Sequence, residues 1–416
     1  MIERALSLSQ ALTTAPERTR GPRRRELWAL ALVAVNLQAG IVATGPVAPL
    51  VRADLSLSNS ILGVIAAIPP VAMGAAAVPG AMLARRLEPA RAVNWSVALL
   101  AAGGILRALA PGATLLALAT VAMCLGAGLA TASFPLLAAG RFSGHVGVAT
   151  AFFTGGTAGG ALLASGLTAP VLLPLWGAWS WRGAFLSWGA LAVMAWLVWT
   201  AAIRRSIAAP AAAPDSGPDP AAGARPPAWG HILRTPRAWL LALLFASQAM
   251  MFFTLVAWIP PIYSEHGFSA AAASGPLLIL SIMQIPAAFL FPLAAGRWGR
   301  PQPLLLLSTA VTALGLAGLA LAPAAAPWLW ATALGVGLGG LYSICMLLPV
   351  ALFAPGEVAA VTGIMLTVGY LLASVGPFMM GALRDWSGSY VVGLLTFLAL
   401  TVPMGLMIVG LRRRPG

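Results

Sequence analysis

A chain can cross the hydrocarbon of a bilayer as a helix only where roughly 20 consecutive residues are apolar. This sequence supplies such stretches one after another, without charge, at 27–51, 55–84, 108–140, 142–181, 183–203, 238–264, 267–296, 301–356, 358–383 and 386–411. Several stretches suit one crossing, and the longest, 301–356, holds two, divided around Pro323 and Pro327. The spans expected are therefore twelve, near 27–51, 60–83, 92–110, 114–138, 147–171, 183–203, 238–262, 270–294, 302–322, 327–350, 358–382 and 390–411. Strand-like alternation is absent, which excludes an outer-membrane barrel. Only 8% of the residues are charged, against about a quarter in soluble chains, which excludes a large globular enzyme.

The net charge of +14 could suggest nucleic acid, but its placement explains it better. All 24 basic residues are arginine; with the N-terminus inside, twenty fall on the cytoplasmic side and four (Arg52, Arg107, Arg182 and Arg384) outside. That asymmetry is the positive-inside pattern. It puts both termini in the cytoplasm of a bacterial-type inner membrane and argues against a nucleic-acid partner. The residues before Leu27 are basic and polar and do not read as a signal peptide. Trp176, Trp179 and Trp181 read as an interfacial belt on the outer loop after span five.

The Pro/Ala-rich run 206–227 cannot bury a core and reads as a linker between two halves. The division expected is a tail 1–26, a six-helix bundle 27–203, a linker 204–236, a second six-helix bundle 237–411 and a tail 412–416. Internal similarity agrees: Gln38 with Gln248, Asp54 with Glu265, and the pair Gly126 and Gly128 with Gly335 and Gly337 are all separated by about 210 residues. Parallel repeats about an axis along the membrane normal are one way transporters are built. Gly155, Gly156, Gly159 and Gly160 form two overlapping small-xxx-small pairs in span five, a device for close helix approach.

The loop Pro292-Leu-Ala-Ala-Gly296-Arg297-Trp298-Gly299-Arg300 resembles the major facilitator signature G-x-x-x-D-R-x-G-R, and Gly80-Ala-Met-Leu-Ala84-Arg85-Arg86 resembles its first-half copy. Gly296 and Ala84 stand where the family places its acidic residue. Asn36-Leu-Gln38, Gly45-Pro46, Arg52 to Ser58, Trp181-Arg182-Gly-Ala-Phe, Trp258-Ile-Pro260-Pro-Ile and the run from Gly369 to Ser389 are similar to the cyanate and 2-nitroimidazole transporter family. The resemblance touches roughly residues 30 to 400 and implies an all-α fold of two pseudo-symmetric six-helix bundles working by alternating access. Members often carry Arg where this chain has Gln38.

Polar side chains at mid-membrane depth are costly unless they face a cavity or a partner. Asn36, Gln38, Gln248, Phe252, Gln284, Tyr342, Thr367 and Tyr370 are the candidates for contact with a small polar planar solute. Interhelical hydrogen bonding uses the same residue types and is the competing reading. Arg107, Arg85, Arg86, Arg297 and Arg300 are candidates for vestibule or gating roles. Arg107 is expected to lie one turn below the outer surface and snorkel outward. No carboxylate lies deep within a span, so a carboxylate proton relay is not expected, while coupling to an ion by another route stays open. Cys124, Cys345 and the scattered methionines show no metal spacing, and no cofactor is implied. The expected function is transport of a small polar or anionic solute by a chain acting as a monomer in the bilayer, and not an enzyme. Multidrug or metabolite efflux is the alternative, and a receptor or scaffold the rival of another class.

Overall fold

The computed structural model describes residues 24–142, 146–207, 229–298, 300–354 and 357–411. Among these the regular structure is helical, with no strand. The first half comprises α1 (Arg24–Val42), α2 (Thr44–Asp54), α3 (Asn59–Arg86), α4 (Pro89–Ala108), α5 (Ala113–Arg141), α6 (Val146–Leu167), the short α7 (Leu173–Trp176) and α8 (Ser180–Ile207). A short α9 (Trp229–Leu233) precedes the second half: α10 (Pro236–Glu265), α11 (Ala270–Trp298), α12 (Pro301–Leu321), α13 (Pro327–Leu352), α14 (Val358–Ala373), α15 (Val375–Ser387) and α16 (Tyr390–Gly410). Among the described residues ten stretches are long and apolar enough to cross a membrane; one of them, Phe152–Ile203, contains two crossings folded back at Gly177–Trp179. With α4, whose Arg91 and Arg107 lower its hydropathy, the crossings number twelve.

Proline explains where the long spans break. Pro46 has no N–H and its ring crowds the carbonyl four residues back; α1 ends there, at Val42, and α2 resumes at Thr44. Pro377 does the same in span eleven, where α14 ends at Ala373. Around Pro170 span five loosens into a π-turn, Thr168–Leu172. Serine caps close other ends: the Ser58 hydroxyl accepts from Ile61 N–H and that of Ser389 from Val391 N–H, each at 3.2 Å.

The duplication is visible in packing. The pairs α4–α5, α3–α5, α1–α6 and α4–α8 of the first bundle recur as α12–α13, α11–α13, α10–α14 and α12–α16 of the second. Lipid is as apolar as leucine, so close backbone contact at small residues has to hold such pairs together. A Cβ at Gly126 would lie 2.5 Å from Leu100 N of α4, and one at Gly337 2.8 Å from Ser308 O of α12. Gly128 abuts Ala72 O of α3, as Gly339 abuts Gln284 O of α11. The structural partners are thus Gly126 with Gly337 and Gly128 with Gly339, two residues on from the match read in the sequence. In span five, Gly156 and Gly160 press on Ala31 O and Val35 O of α1, at 2.6 and 2.0 Å from a would-be Cβ, whereas Gly155 and Gly159 face open space. Only one of the two expected small-residue pairs packs.

One further expectation changes. Trp181 is 3% exposed, its indole N–H donating to Asp54, so it is not a belt residue; Trp179 is exposed. Helix α9 lies inside the stretch assigned to the linker, whose residues 208–228, like His145, lie outside the described residues. His266 sits at the end of α10 with Nδ1 2.8 Å from Ile262 O.

Candidate functional site

Polar and aromatic groups gather in three places, the third of them without any candidate residue singled out in the sequence. At mid-length in the second bundle, Phe245 of α10 meets Tyr370 of α14 edge to face (5.3 Å, 79°) and Tyr342 of α13 at 6.3 Å. Phe253 lies 6.1 Å from Tyr370 and 5.3 Å from Phe252. Gly369 makes room for this cluster: a Cβ there would stand 2.3 Å from the Phe245 ring. Tyr342 is partly exposed. On the same helix as Phe245 and Phe252, Gln248 is buried and its Nε2 donates to Leu338 O at a long 3.4 Å. The Oε1 atoms of Gln248 and Gln38 are both buried without a hydrogen-bond partner. An unpaired buried acceptor costs roughly 1–3 kcal/mol, a cost the protein leaves unrelieved at both amides. Gln284 and Thr367 are half-buried: Gln284 lies where α11 meets α13, and the Thr367 carbonyl lies at the bundle seam against Gly74 of α3.

Asn36 is elsewhere. It donates to Leu32 O (2.8 Å) and lines a small cavity inside the first bundle with Gly40, Met123, Phe185 and Arg107. The two polar residues of α1 therefore face different surroundings, as a spacing of two on a helix dictates. Arg107 corrects the sequence reading outright. It is 1% exposed and turned inward, not snorkelling. Its Nη1 donates to Gly40 O at 2.7 Å and its Nη2 to Thr44 Oγ1 at 2.7 Å, on either side of the α1–α2 break. The guanidinium also stacks on Phe185, 3.9 Å from the ring centre. Break and arginine explain each other, because a broken helix offers acceptors that a buried guanidinium needs.

The third place is the seam on the face opposite the termini. Asp385, at the end of α15, accepts from the N–H and side-chain amide of Asn59 (3.1 and 2.8 Å), and from the N–H (2.7 Å) and hydroxyl of Ser60. It thus caps the first turn of α3 from the other bundle, where a helix N-terminus favours negative charge. Glycines let the backbones close over this cap. A Cβ at Gly381 would meet Asn59 O at 2.3 Å, one at Gly63 Pro377 O at 2.6 Å, and one at Gly45 Val256 O at 2.2 Å. Beside it Arg384 pairs with Glu265 (2.8 Å) and Arg52 donates to Asn59 Oδ1 (3.1 Å). A cavity of about 160 Å³ lies there, lined from both bundles by Arg52, Leu62, Glu265 and Tyr390 among others. On the same face Arg182 pairs with Asp54 and holds its carboxyl below the usual carboxylate range. The described carboxylates all sit at or near helix ends. Of the arginines proposed for gating, Arg86, Arg297 and Arg300 are exposed at helix ends, and the side chain of Arg85 is outside those described.

The Asp385 cap is invisible in the sequence, since it joins residues 326 positions apart. Hydrogen bonds to a charged group are worth about 1.5–3 kcal/mol each in favourable cases. Asp385→Ala should therefore shift the molecule toward opening on this face. Leu62→Cys, in a chain whose own Cys124 and Cys345 are buried, reports it: labelling by a membrane-impermeant maleimide should rise about tenfold or more. Unchanged labelling would show that the cap does not hold the face shut.

Comparison with known proteins agrees with this architecture. The family described as Major Facilitator Superfamily matches residues 30–377. The "Cyanate transport protein CynX" of Escherichia coli (strain K12) is 30% identical over 391 residues, covering 94% of this chain and 97% of that protein. The "2-nitroimidazole transporter" of the same organism is 26% identical, covering 90% and 92%. A solved structure of a bacterial homologue of the human lysosomal transporter Spinster, inward-facing and unoccupied, has a TM-score of 0.76 at 18% identity, covering 92% of this chain and 95% of that one. The chain is therefore a multi-pass membrane transporter and belongs to the major facilitator superfamily.

Proposed function

We propose that this transporter carries a small, planar, polar or anionic solute of the cyanate or nitroimidazole kind across the bacterial inner membrane by alternating access. The carrying observation is the grouping of Phe245, Tyr342, Tyr370 and Gln248 at mid-length of the second bundle, with a buried Gln248 acceptor left unpaired. Aromatic faces accept a flat solute, phenol and amide groups orient it, and Gln38 holds the repeated position in span one. Similarity to the cyanate and 2-nitroimidazole transporters supports the size and polarity of the solute. The bridges at Asp385, Gly381, Gly63 and Gly45 support a state shut on the face opposite the termini. The arginine asymmetry, which favours cytoplasmic termini, makes the shut face the outer one. The working bodies are bundles 27–203 and 237–411, joined by the linker 204–236 and flanked by tails 1–26 and 412–416.

Replacing Gln38 and Gln248 together by Leu removes both unpaired acceptors without changing the spans. The purified variant should keep its thermal stability and lose about tenfold or more in affinity for cyanate or 2-nitroimidazole. Unchanged affinity in a binding titration would remove these residues from the site.

A further inference from the structure

Arg107 has a property its hydrogen bonds leave unexplained, namely a buried positive charge with no carboxylate beside it. Each described acidic residue has a partner elsewhere. Glu26 pairs with Arg141, Asp54 with Arg182, Glu88 with Arg91, Glu265 with Arg384 and Glu357 with His231, while Asp385 caps α3. The Arg107 partners are a carbonyl, a hydroxyl, the Met123 sulfur at 3.4 Å and an aromatic face, none of which carries charge. Its Nε is buried with no acceptor. The neighbouring cavity of about 10 Å³ holds at most a water-sized species, so no larger counter-ion resides there. Arginine stays protonated in proteins, and an uncompensated buried charge is expensive.

The position of this charge suggests its use. Thr44, which accepts from Nη2, directly precedes Gly45, whose backbone lies against Val256 O of the other bundle. The guanidinium is therefore one residue behind the surface along which the bundles meet. We infer that Arg107 is a specificity-determining residue whose fixed charge selects a small monovalent anion over a neutral solute of similar shape. This rests on the small-solute reading above and narrows it: the solute itself is the counter-ion. A unit charge acting over about 10 Å at an effective dielectric of about 20 shifts anion affinity by about tenfold.

Two substitutions separate charge from scaffold. Arg107→Lys keeps the charge and loses the forked donors; Arg107→Gln loses both, its amide ending where the unpartnered Nε stands and short of the Gly40 carbonyl. Full-length variants in proteoliposomes are assayed with cyanate and with an N-methylated 2-nitroimidazole, which has no ionisable N–H. Arg107→Gln should raise KM for cyanate about tenfold or more, Arg107→Lys only a few fold, and neither should move KM for the neutral solute. Wild-type KM for cyanate in Arg107→Gln, or equal losses for both solutes in both variants, overturns the inference and leaves the cyanate reading standing. If the wild type takes up no cyanate, the cyanate reading fails. Thermal stabilisation by sodium nitrate, thiocyanate or acetate, present in wild type and absent in Arg107→Gln, then still upholds the inference. No stabilisation of the wild type by any of these anions overturns it.

Discussion

Gly45→Val should leave the protein folded but unable to shut on the face opposite its termini, with transport reduced about a hundredfold. A Cβ at Gly45 would lie 2.2 Å from the Val256 carbonyl oxygen, a backbone atom of the opposite bundle that no side-chain rotation can move. Overpacking of this kind costs about 3 kcal/mol at the upper end of the usual range, which is about a hundredfold in an equilibrium. The clash exists only while the bundles touch here, so separating them relieves it without unfolding either. Leu62→Cys placed in the Gly45→Val background should become reactive to an impermeant maleimide, while the thermal midpoint stays within a few degrees. A normal transport rate would show that the seam at Gly45 opens and closes with room to spare.

Gly160→Val is the contrasting case, because its clash lies within one bundle. The would-be Cβ is 2.0 Å from Val35 O, where α6 packs on α1. That contact belongs to the first bundle itself and persists as the bundles rock, so no alternative state relieves it. Stability should fall by about 3 kcal/mol, seen as a lower thermal midpoint in tryptophan fluorescence and a poor yield of folded protein. Gly159→Val, at a neighbouring position with nothing within 4 Å of its Cβ direction, should leave stability near wild type. Equal damage from the two substitutions would mean that span five is sensitive to bulk in general and not to this contact.

Much of this fold can be read along the chain. The twelve spans and the duplicated halves follow from hydropathy and spacing, each of which acts over a few residues, whereas the breaks at Val42 and Ala373 do not, since prolines such as Pro69 and Pro260 lie inside unbroken helices. The candidate site was legible in part. Tyr342 and Tyr370 were both visible as intramembrane polar residues, but nothing in their spacing shows that Phe245 stands between them. Asn36 and Gln38 are adjacent in the sequence pattern, yet helix rotation sends Asn36 to Arg107 inside the first bundle. Arg107 was misread because a side chain near a span end snorkels by default; here acceptors at Gly40 and Thr44 capture it first.

By itself the sequence determined that this chain spans a membrane many times, as two related halves, because apolar length and charge placement along the chain decide insertion. Only the tertiary structure decided which groups meet across the seam. Asp385 finds the start of α3, and Gly45 finds the Val256 carbonyl, through the rotation of each helix and the relative position of two bundles. Hydropathy carries neither quantity, since one apolar face looks like another until close packing at glycine chooses between them.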